Sequence, residues 1–447
     1  MLKKVLIANR GEIAVRVIRA CRELGIRTVA IYSEADKEAL HTQLADESVC
    51  VGGPQSKDSY LNIKNILSAA ILTGAEGIHP GFGFLSENSK FAQMCKECNI
   101  IFIGPDAETI DAMGNKSKAK EIMDAAGVPI IRGSKGIVET EEEAIELCKT
   151  IGYPIMIKAS AGGGGRGIRI VREEKDLVSS YTMAKTEAKI AFGDDSMYIE
   201  KFIEEPRHIE VQVLGDNYGN VLYLGERDCS IQRRNQKVIE EAPSCVIDEE
   251  TRKKLGDIAV KAAKAVNYKG AGTIEFLRDK YGEFYFMEMN TRIQVEHPVT
   301  EMITGIDIVK EQLNVASNKP LDIKQEDITI NGHAIECRIN AEDPRAGFMP
   351  SPGVVNVINL PGGFGVRLDT AIYNGYKIPP YYDSMVAKLI VHGRDREEAI
   401  NKMKRALDEF IIEGVKNNIE FQYEILNNKK FNEGDINTSF IAQEFGM

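Results

Sequence analysis

The residues from Glu288 to His297 read E-M-N-T-R-I-Q-V-E-H. In an extended chain, side chains alternate between faces. Glu288, Asn290, Arg292, Gln294 and Glu296 then share one side, and Met287, Met289, Ile293 and Val295 share the other. Carboxylates, an arginine and two amides in one row suit an ionic substrate better than they suit packing. The plain alternative is a solvated strand face. Just upstream, T-I-E-F-L (273–277) and E-F-Y-F-M-E-M (283–289) flank Tyr281-Gly282, which reads as a hairpin with a two-residue turn. That turn sets Glu275 opposite Glu288, and like charges facing each other on a sheet repel. With Asn290 beside them, the two carboxylates suit Mg²⁺, which takes one or two carboxylates and completes its shell with water and phosphate oxygens.

Other cationic residues stand where an anion would be met. Gly114-Asn115-Lys116 opens a helix to Ala126 with Gly127 as its cap, and a lysine at a helix start calls for an anionic partner such as phosphate. Lys158 ends the strand run Y-P-I-M-I-K-A (153–159). It leads into Gly162, Gly163, Gly164, Gly165, Arg166 and Gly167, followed by a strand at Ile168–Val171. A P-loop ends in G-K-[ST] and enters a helix. Strand, glycines and strand instead make a hairpin flap of the kind that covers phosphates; a flexible linker would explain the glycines but not Lys158 and Arg166. Ser196–Phe202 reads as a strand whose backbone could read an adenine edge. In H-I-E-V-Q-V-L (208–214), His208, Glu210 and Gln212 share a face.

Between a strand at Val221–Leu224 and Lys237 lies a charge run that a solvated segment would explain. Lys237 stays a candidate because Glu240 and Glu241 follow it closely. Gly332–Asn340 is a strand that carries Arg338.

The elements that must position these groups begin with K-V-L-I-A (4–8), a helical pattern from Asn9-Arg10-Gly11 to Leu24, and T-V-A-I-Y (28–32), a β-α-β opening of the doubly wound type. The loop from Gly77 to Glu87 either faces a ligand crevice or packs His79 inside. A boundary falls near Pro320–Thr329. Beyond it come turns at Pro350–Gly353 and Pro361–Gly365, a rigid loop at Pro379–Met385 and two amphipathic helices.

The 447 residues carry 56 Lys+Arg against 67 Asp+Glu, a net charge of −11, so no basic face for nucleic acid is expected. Membrane spans and a signal peptide are not expected either, which places the chain in the cytoplasm. The eight cysteines show no framework, and Cys95-x-x-Cys98 stands alone, so reduced structural thiols are expected.

The glycine flap after Lys158, the G-N-K helix start and the Glu275, Glu288 and Asn290 set resemble the ATP-grasp superfamily. Within it, the motifs E-M-N-T-R-I-Q-V-E-H-P-V-T-E, H-P-G-F-G-F-L-S-E-N, A-S-A-G-G-G-G-R-G and P-P-Y-Y-D-S-M are similar to the biotin carboxylase family over essentially the full length. The resemblance implies a mixed α/β and α+β fold in three parts. These are a doubly wound N-terminal domain (1–113), an ATP-grasp domain (114–325) with a mobile glycine-flap lid at about 130–203, and a β-rich C-terminal domain (326–447).

It also implies a reaction in which bicarbonate attacks the γ-phosphate of MgATP, or MnATP, to give carboxyphosphate, and the carboxyl group passes to N1′ of biotin. By position, Lys116, Lys158 and the glycines meet the phosphates, Glu200, Lys201 and Ile203 surround adenine, and His208 and Gln232 reach the sugar region. Glu275 and Glu288 hold metal with Asn290 nearby. Lys237, Arg292, Gln294 and the Val295 backbone hold bicarbonate, Glu296 is the general base, and Arg338 stabilises the biotin enolate. Asn235 stands where many members have histidine, at a nucleotide contact. The carrier motif M-K-M is absent, and Lys402-Met403-Lys404 only approximates it. A stand-alone enzyme working with a separate biotin carboxyl carrier protein and carboxyltransferase is therefore expected. So is a homodimer through Arg19, Glu23, Phe364 and Arg367, serving acetyl-CoA carboxylation with pyruvate or propionyl-CoA as alternatives.

Overall fold

Val5, Leu6 and Ile7 are wholly buried. Their run, Lys4–Ile7, forms β1 in the computed structural model, which describes residues 1–134, 136–159, 168–192 and 194–447. With β2 (Arg27–Ser33), β3 (Glu47–Gly52), β4 (Gly77–His79) and β5 (Ile101–Phe102), it builds a parallel sheet in the order β3-β2-β1-β4-β5. The order reverses beside β1. In such sheets the crevice opens where the loops leaving the two diverging strands part, here after β1 and after β4. Asn9, just past β1, donates from Nδ2 to the carbonyls of Pro80 and Phe82, both at 2.7 Å, and so ties the two loops together. Gly81 is required at that junction: its φ is +61°, and a Cβ there would lie 2.8 Å from Asn9 Nδ2. The helix Gly11–Glu23 follows β1, and Gly25, at φ +70°, closes it. Asn115 caps the helix Lys116–Ala125 by accepting from the Lys118 N–H at 3.0 Å. Ala126 ends that helix, one residue before the expected glycine cap, and Gly127 supplies the left-handed residue after it.

Pro129–Pro206 and Leu277–Met287 form a unit of their own, distinct from the unit made by Met1–Val128, Arg207–Phe276 and Glu288–Met447. Its sheet has β6 (Ile155–Ala159) at the centre, with β7 (Ile168–Val171) and β8 (Met197–Lys201) antiparallel on either side. Ile155, Ile157, Met197 and Ile199 turn one face into a core shared with Ala144 and Cys148 of the helix Glu141–Ile151 and Tyr181 of the helix Leu177–Phe192. The β6–β7 pairing is the hairpin that the sequence predicts. The glycines 162–165 and 167, and Arg166, lie outside the described residues.

An eight-stranded sheet is built mostly from the larger unit. It contains β9 (Arg207–Gly215), β10 (Val221–Arg233), β11 (Gln236–Ala242), β12 (Gly270–Arg278), β13 (Phe284–Asn290) and β14 (His333–Asn340), together with strands Met385–Gly393 and Val366–Thr370. The order is β13-β12-β9-β10-β11-β14, then Met385–Gly393 and Val366–Thr370.

Four expectations are corrected here. The charge run after Leu224 is not solvated: it continues β10 to Arg233, and Glu226 through Gln232 are buried. Paired on both sides, by β9 and β11, this strand buries its charges against oppositely charged neighbours. The stretch from Glu288 is extended only to Asn290; residues 291–296 form an irregular loop, and the helix His297–Thr304 starts with Pro298 in its first turn. The turn between β12 and β13 runs from Asp279 to Glu283, because the Asp279 carboxylate accepts from the N–H groups of Tyr281 (2.8 Å) and Glu283 (2.9 Å). The chain ends in four helices after a strand, not in two helices. Asn428 caps Lys429–Glu433 and Gly434 stops it at φ +74°, dividing what reads as one amphipathic stretch.

Candidate active site

One buried face of the large sheet gathers most of the chemistry. His208, Glu210 and Gln212 lie along β9, all buried, as their alternation predicts. Lys237 enters from β11 and donates to Glu210 Oε2 at 2.6 Å, Glu296 Oε1 at 2.7 Å and Glu275 Oε1 at 2.9 Å. Burial alone would lower the pKa of this ammonium, but Glu210, Glu296 and Glu275 hold it well above the ordinary lysine value. The acids expected to secure it act elsewhere. Glu240 accepts from Arg338 Nε at 2.6 Å, and Glu241 pairs with His333 and Arg396. Arg338 claims Glu240, and His333 and Arg396 claim Glu241, while carboxylates from β9, β12 and the loop after β13 reach Lys237.

Glu296 is 2 % exposed and bridges two cations, accepting from Lys237 through Oε1 and from Arg338 Nη2 through Oε2 at 2.9 Å. Burial pushes its pKa up; Lys237, Arg338 and Arg227 overcome that and hold it ionised, well below the usual carboxylate range. Glu275 is held down in the same way, with Lys237 and His208 acting against burial. Its Oε1 accepts from Gln294 Nε2 (2.6 Å) and Asn290 Nδ2 (2.7 Å), while His208 Nε2 lies 2.8 Å from Oε2, off the line of a hydrogen bond. Gln232 donates to His208 Nδ1 at 2.9 Å. Arg292 reaches Glu87 Oε2 (2.9 Å) and Asn290 Oδ1 (3.0 Å).

Arg227 is the site residue that sequence reasoning missed. It is fully buried and spends all five donors: on Glu210, Gln212 (2.8 Å), Thr300 (2.9 Å), Thr273 (3.1 Å) and Gln294 (2.8 Å). It thereby fixes Gln294 and one side of Glu210. The signal was the absence of any Pro or Asn between Val221 and Arg233, followed by Arg234-Asn235. Both of those have positive φ, +50° and +65°, as a two-residue hairpin turn requires, with Arg233 paired to Gln236. Asn235 is exposed at this turn, where its tolerance of the left-handed region matters. Glu87, which receives Arg292 and the Thr291 N–H, was likewise not singled out.

Among the described residues, two clusters could be taken for metal sites: His208, Glu210 and Glu275, and Glu210, Cys229 and Glu296. The Lys237 ammonium already fills the space between Glu210, Glu275 Oε1 and Glu296, so a second cation enclosed by those three is disfavoured. Glu288 differs. It is partly buried, and it has no hydrogen-bond or ion-pair partner among the described residues. Its pKa is raised by burial and then by the Glu275 charge, with Lys116 pulling the other way. An unpartnered carboxylate beside a second one, with the Asn290 amide near, fits a divalent ion with oxygen ligands. Lys116 itself is exposed at the first turn of its helix and has no hydrogen-bond partner among the described residues.

In the smaller unit, Lys158 donates to Glu200 Oε2 at 2.6 Å, so two predicted site residues meet there. Lys201 turns its ammonium to the Tyr153 carbonyl at 2.7 Å, and Ile203 is buried.

A cavity of about 510 Å³ lies where the loops after β1 and β4 part. Glu12, Phe82, Gly83 and Tyr382 line it, and Arg292, Val295 and Arg338 stand in its wall. His79, at the base of the same loop, is fully buried, its Nδ1 accepting from the Gly81 N–H at 3.0 Å. The loop thus packs His79 inside, and Phe82-Gly83-Phe84 line the cavity.

Comparison with known proteins agrees along the chain. Residues 1–110 match the family profile "Biotin carboxylase, N-terminal domain", 115–324 match "Carbamoyl-phosphate synthase L chain, ATP binding domain", and 336–443 match "Biotin carboxylase C-terminal domain". Biotin carboxylase 1 of Bacillus subtilis is 60% identical over 99% of this chain and 98% of its own length. Among solved structures, the biotin carboxylase domain dimer of Hydrogenobacter thermophilus 2-oxoglutarate carboxylase, in complex with MgADP, ADP and bicarbonate, superposes with a TM-score of 0.89. It is 55% identical and covers 99% of this chain and 98% of that one. The crystal structure of the biotin carboxylase component of a pyruvate carboxylase superposes with a TM-score of 0.92, at 54% identity over 100% of this chain and 99% of that one. With three matching domains in order and relatives this similar over its whole length, the chain belongs to the biotin carboxylase family.

Proposed function

We propose that the chain catalyses the MgATP-dependent carboxylation of biotin, carried on a separate biotin carboxyl carrier protein, with bicarbonate as the carbon source. The observation that carries this is the position of Arg338: it is bonded to Glu296 and stands in the wall of the cavity. One side chain thus joins a buried carboxylate between two cations to a space large enough for a bicyclic acceptor.

In the first step, Glu296 removes the bicarbonate proton while the bicarbonate oxygen attacks the γ-phosphorus and ADP leaves. Lys237, Arg292, Gln294 and the Val295 backbone hold the anion. As bicarbonate enters and takes over part of Lys237 or Arg338, Glu296 loses a partner and becomes the stronger base that this proton transfer requires. In the second step, the carboxyl group passes from carboxyphosphate to N1′ of biotin. Arg338 stabilises the negative charge on the ureido oxygen, and the released phosphate takes the N1′ proton.

Lys116, Lys158 and the glycines 162–165 and 167 bind phosphate oxygens, Glu200, Lys201 and Ile203 receive adenine, and His208, Gln232 and Asn235 serve the rest of the nucleotide. Glu275 and Glu288, with Asn290, hold the divalent ion, which neutralises phosphate charge when bound.

A homodimer is supported by Phe364, an aromatic side chain 93% exposed near Arg367, and by the dimeric relative. Glu23 and Arg367 already pair within the chain, to Lys310 (2.5 Å) and to Glu301 (2.6 Å), so these pairs would persist or exchange at the interface. The buried Met403, in the helix Arg396–Glu409, supports a separate carrier, since Lys402-Met403-Lys404 is packed in place. For the final acceptor we propose acetyl-CoA through a partner carboxyltransferase; the relative named for pyruvate carboxylase favours a 2-oxo acid as the second reading.

ADP release with MgATP tests the reaction. It should depend on bicarbonate and rise when free biotin is added. Release indifferent to both would replace this reading with an ATP-grasp ligase acting on a different carboxylate.

A further inference from the structure

Lys388 is fully buried on the strand Met385–Gly393, opposite Arg338 of β14 on one side and Asp369 of Val366–Thr370 on the other. A buried ammonium is costly unless its donors are used. Its Nζ donates to the Val295 carbonyl at 2.9 Å and lies 3.2 Å from Glu12 Oε2 and 3.9 Å from Asp369 Oδ2. Val295 belongs to the loop that carries Gln294 and Glu296, and Glu12 lines the cavity beside Arg338. Glu12 is 6% exposed, and neither of its carboxylate oxygens has an aligned hydrogen bond. The Lys388 cation therefore sits between the loop that holds the bicarbonate-side groups and the acid in the cavity wall. Gln294 and Glu296 have other cations to hold their side chains, but the Val295 carbonyl has Lys388 as its side-chain donor.

We infer that Lys388 is a positioning residue for carboxylation, which sets the Val295–Glu296 segment against the acceptor cavity by holding the Val295 carbonyl and Glu12 together. The inference rests on the function proposed above. A residue that merely balanced the Glu12 charge would have no further role once that charge was removed. A residue that places the loop keeps its role.

The test is a comparison of Lys388→Met, Glu12→Gln and the charge-balanced double variant in the full-length enzyme, scored by KM for bicarbonate, free biotin and ATP. The double variant keeps the test usable if Lys388→Met alone fails to fold. Misplacing reacting groups by a fraction of an ångström is costly, so the double variant should raise KM for bicarbonate and biotin about tenfold or lower kcat by a similar factor. KM for ATP should stay within about twofold, which a general loss of structure would not spare. Double-variant KM and kcat values equal to the parent's would overturn the inference and leave the reaction standing, as would a rise in KM for ATP matching that for bicarbonate. A parent enzyme whose ADP release ignores bicarbonate would overturn the proposed reaction, and this inference with it.

Discussion

Lys237 and Lys158 are both strand lysines bonded to glutamate, yet they are held very differently. The Lys237 side chain is 13% exposed and answers to three carboxylates on three different segments. Lys158 is 41% exposed and, among the described residues, has a 2.6 Å bond to Glu200 alone. A buried cation with three partners cannot leave without stranding them, so Lys237 serves as a fixed post around which substrate and base are arranged. An exposed ion pair is worth little and exchanges readily, so Lys158 can give up Glu200 for an incoming phosphate at small cost. One region is built for precision, and the other for exchange.

The largest expected effect tests the fixed region. Glu296→Gln keeps the shape but removes the base and its charge, and turnover should fall about 10²- to 10⁴-fold with ATP binding nearly unchanged. Turnover within a few-fold of the parent would mean that the proton goes elsewhere. Arg338→Met should divide the two half-reactions: bicarbonate-dependent ADP release persists, whereas carboxybiotin formation drops by about 10²-fold, the worth of an oxyanion donor. Equal loss in both assays would place Arg338 in the first step instead.

In the exchanging region, Lys158→Gln should raise KM for ATP about tenfold, the value of one charge-assisted bond, and leave KM for bicarbonate alone. A matching rise in KM for bicarbonate would erase the distinction between the two lysines.

The smallest effect concerns stability and pH. Burial would raise the Glu241 pKa, but Arg396 and His333 bring it down from 4.5 to about 2. Because its folded-state pKa is depressed, the unfolded chain binds more protons between these values. Its stabilisation is present above about 4.5 and is lost as pH falls toward 2. Glu241→Gln should cost about 3 kcal/mol at neutral pH and flatten the acid limb of a melting curve measured against pH. An unchanged acid limb would show that other carboxylates govern acid unfolding.

Much of this was readable before any fold was known. The doubly wound opening follows from two apolar strand runs around a helical period, and the β6–β7 hairpin from strand, glycines and strand. Alternation correctly put His208, Glu210 and Gln212 on one face. Periodicity failed where charges were buried. Hydropathy treats Glu226 to Gln232 as a solvent-facing run, because nothing local announces that Glu210 will arrive to neutralise Arg227 and Gln294 to accept a hydrogen bond from it. The polar row after Asn290 was misread for a related reason. Its residues do converge, but through an irregular loop whose course is set by Arg227, Lys388 and Lys237 pulling on successive positions.

The sequence by itself determined the element types near the site, the family and the chemical classes of the groups involved, since residue type, spacing and turn chemistry are local properties of the chain. Only the tertiary structure decided which carboxylate belongs to which cation. Glu240, three residues from Lys237, pairs with Arg338, while Glu210, Glu275 and Glu296 reach Lys237 from afar. Partners in a buried ionic cluster are chosen by sheet register and by the cost of leaving any charge unpaired, and both are settled only when distant strands come together.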